Sequence, residues 1–331
     1  MASLNGKDGN ALSHAERQRR MRFGSTAHCR NSMDVRDLTR INGRICRAKE
    51  REATASWMLD DDDRRQLRSI LGFSPCAGLI ASNKKVRVKA ASIRARAIEN
   101  LYAKPLHWYF ITLTSAHWHT QHNDTEIRLG EIRQTTMDLM AQEQFHWVGC
   151  IEFDICNNWP SANSGLAVMR HAHILTWREN KISARKLLED WCEDPRLKPF
   201  LGRPTVTVKT IRKAKDISHR CFYMGKPNNL VKSFRMSEDG AELVHVYSVE
   251  NSARPSQILR ISEILSHLIW DDILMGGGQG ARLTERWQHE LRAWLSSVDE
   301  SAEQLHDIME FWARIRPARS RKTYGPVRTI R

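Results

Sequence analysis

The stretch VMRHAHILTW, Val168–Trp177, decides how this chain is read. Valine, isoleucine and threonine favour a strand, and strand alternation sends His171 and His173 to one face, Ala172 and Ile174 to the other. The apolar partners then face a helical layer and stiffen the element. Two imidazoles one strand step apart can reach a single divalent cation. The stretch therefore predicts a strand that carries a preorganised metal clamp.

Working outward, His107–Ser115 (HWYFITLTS) reads as a strand and Asp124–Glu143 as a helix capped by Asp124. Phe145–Asp154 (FHWVGCIEFD) is a second strand, joined by the turn-rich ICNNWPSANSG to the histidine strand. Ser183–Asp194 reads as a short helix, Arg203–Ile211 as a fourth strand, and Lys215–Pro227 as a helix stopped by Pro227. The order strand, helix, strand, strand, helix, strand, helix predicts an α+β class. A central antiparallel sheet of ferredoxin-like topology would carry helices on one face.

Residues 1–104 read as a basic, largely helical region whose first ~20 residues are disordered, and 105–235 as the sheet domain. Residues 236–331 read as a helical region with a basic tail. Within it MGGGQG, Met275–Gly280, lacks the ending of a phosphate-binding loop and reads as a flexible connector.

The chain has 331 residues, with 52 Lys+Arg against 38 Asp+Glu, a net charge of +14. Such a surplus points to a polyanionic partner. The first 104 residues carry about twice as many bases as acids, 236–313 are acidic, and the last 18 residues contain no acid. No apolar run reaches a membrane span, and no leader is evident, so the expectation is a cytoplasmic protein without a membrane partner. Seven cysteines without a CxxC pair read as reduced thiols.

Three further features surround the histidine pair. Thr112 and Thr114 share a face of the first strand. Glu152 and Asp154 alternate with Ile151 and Phe153, so Glu152 can complete a His–His–carboxylate set suited to Mg²⁺ or Mn²⁺. On the last helix Tyr223 and Lys226 lie at i and i+3, with His219 one turn earlier. A neighbouring cation favours the phenolate that an attack on phosphate requires. A second His-x-His, His117–His119, sits in polar surroundings where nothing fixes alternation, and reads as a loop or a phosphate contact.

In this order, FITLT (Phe110–Thr114), His171–His173 and Tyr223–Lys226 resemble the motifs of the HUH endonuclease superfamily, the rolling-circle replication initiators in particular. The resemblance covers about residues 106–233. It implies that His171, His173 and Glu152 hold the metal and that Tyr223 is the nucleophile. Lys226 then orients or neutralises the phosphate, and His219 serves as acid or base. The implied reaction nicks single-stranded origin DNA, leaving a 5′-phosphotyrosine and a free 3′-OH. No helicase motif is present, so a separate helicase is the expected partner. Thr112, Thr114, Lys84, Lys85, Arg87 and Lys89 are the candidate nucleic-acid contacts. The same chemistry serves single-tyrosine transposases and relaxases. A non-catalytic single-stranded nucleic-acid-binding protein is the alternative from another class.

Overall fold

The computed structural model describes residues 59–70, 81, 84–99, 101–102, 104–121, 126–157, 159, 166–199, 204–224, 230–236, 243–250, 255–298, 311 and 328–330. Its frame is one sheet built on β1 (His107–Leu113), β4 (His146–Asn157), β5 (Leu166–Arg178) and β6 (Val206–Ile211). Their order is β6-β1-β5-β4, and each neighbouring pair is antiparallel. Between them run α3 (Gly130–Gln142), linking β1 to β4, and α4 (Ala184–Cys192), linking β5 to β6. The class is α+β, as the sequence predicts.

Both sheet faces are covered, where the sequence suggested helices on one. β4 is buried along all but its two ends, so neither of its faces can be left to water. On one face Tyr109 of β1 packs against Phe145, whose ring meets Trp191 of α4 edge-on. α3 closes that side with Ile132, Leu139 and Met140. Two helices cover the other face: α2 (Lys84–Glu99), which follows α1 (Asp61–Ile70), and α5 (Ala214–Tyr223). A Tyr102–Trp108 ring contact and a 2.8 Å hydrogen bond between Tyr102 Oη and Ser218 Oγ tie these layers together.

The sheet also runs further than the element pattern indicated. β7 (Leu230–Met236) joins β4 in parallel, and β8 (Leu243–Glu250), within the region that read as helical, pairs antiparallel with β7. β2 (His119–Gln121) adds to β5, and β3 (Glu126–Arg128) precedes α3, which begins at Gly130 rather than beside Asp124. In the basic tail, β10 (Arg328–Ile330) pairs in parallel with β3. The basic run KKVRVK, Lys84–Lys89, forms the first turns of α2.

The glycine run is no flexible connector. After α6 (Pro255–Ser266) and the single turn α7 (Trp270–Ile273), Leu274–Gly277 forms β9, paired antiparallel with Trp147–Cys150 of β4. The long helix α8 (Gln279–Val298) follows at once. A Cβ at Gly280 would overlap the Trp147 carbonyl oxygen, and one at Gly277 the Trp147 indole. Gly278 adopts φ +57°, a left-handed conformation that favours glycine. These glycines allow close backbone approach. Among the described residues no helix is long and apolar enough to cross a membrane.

Candidate metal centre

β5 presents His171 and His173 to the face beneath α2 and α5. Register decides their neighbours: Glu152 of β4 stands opposite His171, while Thr112 of β1 stands opposite His173. Side chains directly opposite in an antiparallel pair share a face. The two imidazoles and the Glu152 carboxylate therefore converge, and all three residues are buried, at 2–3% exposure.

The donor atoms cluster tightly. His171 Nε2 lies 3.0 Å from His173 Nε2, and Glu152 Oε2 lies 3.5 Å and 3.3 Å from the two nitrogens. Ligands at about 2.0–2.2 Å from one ion stand about 3.0 Å apart at cis octahedral positions and about 3.4 Å apart in a tetrahedron. The observed spacings suit a single small divalent ion held on one side by this triad. The other side would remain open to further oxygen ligands.

The tautomers suit the same task. Thr112 Oγ1 lies 2.9 Å from His173 Nδ1. With Nδ1–H donating to that hydroxyl, Nε2 keeps its lone pair for the cluster. His171 Nδ1 has no hydrogen-bond partner among the described residues. Burial holds the His171 imidazole below its ordinary value against the opposing pull of Asp154 and Glu152, favouring the neutral, ligating form.

Asp154 is the acid the sequence placed on this face without giving it a role. Its Oδ2 lies 3.8 Å from His171 Nε2 and 2.7 Å from Lys232 Nζ of β7. Lys232 entered no sequence argument, because only the parallel β4–β7 join brings it to this end of β4.

α5 carries Tyr223 over the cluster. The Tyr223 ring meets His173 at a centroid distance of 4.8 Å and Phe110 at 5.7 Å, both edge-on. Phe110 in turn stacks on His173 at 5.4 Å. Arg220 lies over both Phe110 and Tyr223, at 4.8 Å and 5.8 Å from the ring centroids. Burial lowers its pKa, while Tyr223 and Asp216 pull the other way. His219 is buried one turn before Tyr223, and Lys226 lies outside the described residues.

The remaining candidates divide. Thr112 belongs to the cluster, whereas the Thr114 hydroxyl turns aside toward the Thr205 carbonyl at 3.4 Å. On α2, Lys89 Nζ sits 5.6 Å from the centre of the Trp294 ring of α8, and its pKa is lowered by burial and by Arg96. Arg87 is half-buried and acts on the Cys150 thiol. Lys84 and Lys85 belong to α2, but their side chains are outside the described set.

The second His-x-His is split by the chain's path. His117 lies in a short 3-10 turn and His119 begins β2, stacked on Trp159 at 4.3 Å. Burial pushes the His119 pKa down to about 4, against the hydrogen bond its Nδ1–H donates to the Ala116 carbonyl oxygen.

Comparison with protein-family models, curated proteins and solved structures finds no match to this chain.

Proposed function

We propose that this protein is a metal-dependent, single-tyrosine DNA strand transferase of the HUH type, acting as a rolling-circle replication initiator. The observation that carries the reading is the packing of the Tyr223 ring against His173, a member of the Glu152–His171–His173 cluster. A buried cluster of two imidazoles and a carboxylate suits a divalent cation. A tyrosine touching one of its ligands is poised to act on whatever that cation holds. The antiparallel order β6-β1-β5-β4, connected through α3 and α4, supports the reading.

In this reading His171, His173 and Glu152 hold Mg²⁺ or Mn²⁺, which when bound supplies positive charge to the scissile phosphate. Tyr223 loses its phenolic proton, and its oxygen forms a bond to phosphorus as the bond from phosphorus to the 3′ oxygen breaks. The 3′ oxygen takes up a proton, leaving a free 3′-OH and a 5′-phosphotyrosine. The diester is exchanged, not hydrolysed, so the step can run back. Arg220 lies 5.8 Å from the centre of the Tyr223 ring, close enough to meet a phosphate the tyrosine attacks; Lys226 and His219 retain the roles their motif positions imply. Origin DNA and a separate helicase are the expected partners.

The test incubates the full chain with labelled single-stranded DNA from the region flanking its gene, in Mn²⁺, followed by a denaturing gel. A covalent adduct is expected, abolished both by Tyr223→Phe and by EDTA. An adduct that survives Tyr223→Phe would assign the nucleophile elsewhere. Tight binding without any adduct would replace the enzyme with a non-catalytic binder.

A further inference from the structure

Arg94 of α2 is 1% exposed, in the layer between that helix and the sheet. Its Nε, Nη1 and Nη2 find no oxygen or nitrogen acceptor among the described residues. A guanidinium presents five N–H donors and stays charged at any pH where proteins fold. The contrast with the other deeply buried arginines is plain. Arg260 pairs with Glu263 at 2.9 Å, and Arg170 donates to the carbonyl oxygens of Trp118 and Arg128. Where a buried arginine serves the fold, this protein supplies an acceptor.

Among the described residues the neighbours of Arg94 supply no more than a thiol. Its guanidinium carbon lies 5.6 Å from the centre of the Trp270 ring. Attraction to a ring face is small against the cost of burying an unpaired charge. Among the described residues the Trp270 indole N–H likewise finds no acceptor, though Trp270 is only 1% exposed. The Cys150 thiol lies within hydrogen-bonding reach of the guanidinium, but a thiol sulfur is a weak acceptor and serves at most one of the five donors. Among the described residues donors gather here with only a thiol to accept, an arrangement that suits an anion.

Position says which anion. Cys150 stands opposite His173 in the β4–β5 register and shares its face with Glu152, two residues further on. The guanidinium therefore reaches the same sheet face as the Glu–His–His cluster, from the helical side. We infer that Arg94 binds a phosphodiester oxyanion of single-stranded nucleic acid, beside the cluster formed by Glu152, His171 and His173. The choice of a nucleic-acid phosphate rests on the proposed function; the anion site does not.

The experiment uses the full chain and Arg94→Met, with Arg94→Lys as a charge-keeping control. Thermal unfolding is followed with and without inorganic phosphate, and binding of a fluorescent single-stranded oligonucleotide is measured in EDTA. Because the methionine removes an unpaired buried charge, Arg94→Met is expected to unfold at a higher temperature than the wild type. It should also bind the oligonucleotide about tenfold or more weakly. Arg94→Lys should fall between the two in binding. A rise in wild-type unfolding temperature with phosphate, absent in Arg94→Met, would support a site that takes the bare ion as well. A response to the oligonucleotide alone would support one that needs the diester.

Unchanged oligonucleotide binding in Arg94→Met would overturn the inference, and so would an unfolded Arg94→Met chain, since the charge would then be serving the fold. Covalent chemistry is not read in EDTA, so the two readings fail separately. If no adduct ever forms while Arg94→Met still loses the oligonucleotide, the nuclease falls and the anion site stands.

Discussion

Thr112→Val isolates one hydrogen bond at the metal centre. Valine keeps the β-branched shape of threonine and sets a methyl where the hydroxyl was, so the 2.9 Å contact to His173 Nδ1 disappears while the pairing of β1 with β5 persists. Two costs follow. The His173 ring is 3% exposed, so its Nδ1–H is left buried without its acceptor, which costs about 1–3 kcal/mol of stability. The ring also loses the contact that fixes its tautomer. Partners of this kind are worth roughly 10–100-fold in metal affinity, or about 1.4–2.7 kcal/mol. Calorimetric titration of the full chain with Mn²⁺ measures this directly, with His173→Ala as the baseline for a lost ligand. Thr112→Ser, which restores the oxygen, should recover most of the affinity. If Thr112→Val binds Mn²⁺ as tightly as the wild type while His173→Ala abolishes binding, the hydroxyl does not orient the ligand and the argument fails.

Other outcomes follow from the same geometry. Gly280→Ala should destabilise by about 3 kcal/mol or more in denaturant unfolding, because its methyl would strike the Trp147 carbonyl oxygen; an unaltered midpoint would return the glycine run to a loose connector. Lys232→Met leaves the Asp154 carboxylate, 1% exposed, without the cation at 2.7 Å, and should cost about 1–3 kcal/mol because Lys232 is itself partly solvated. Saturating Mn²⁺ should recover part of that loss, and equal losses with and without the ion would argue against Asp154 lying in the field of the centre. For His119, the unfolded ring takes a proton as pH falls through about 6.5, while the folded ring resists until about 4. Stability is thus full at neutral pH, declines between those values and levels off below them. The decline from this group is about 1–2 kcal/mol, since the ring keeps some solvent contact, and a His119→Gln chain should lack it in acid-unfolding curves.

The division between sequence and tertiary structure follows the range of each force. Period-2 alternation is local, so it put His171 and His173 on one face of one strand, and Glu152 with Asp154 on one face of another. Strand and helix order is also local, and it was enough for the α+β class and for placing Tyr223 on a helix near the site. Register is not local. Only the packing of β1, β5 and β4 sets Thr112 against His173 and Glu152 against His171.

Composition misled where a residue type serves two opposite ends. Glycines that usually loosen a chain here let β9 and α8 close on Trp147, and basic residues that usually face water here include the buried Arg94. The pairing of Lys232 with Asp154 depends on a parallel join between strands more than 70 residues apart, for which neither segment carries a signal. The sequence by itself determined which chemical groups each element offers to which side. Tertiary structure alone decided which of them meet, because burial and pairing across distant segments are properties of the packed chain and not of any stretch within it.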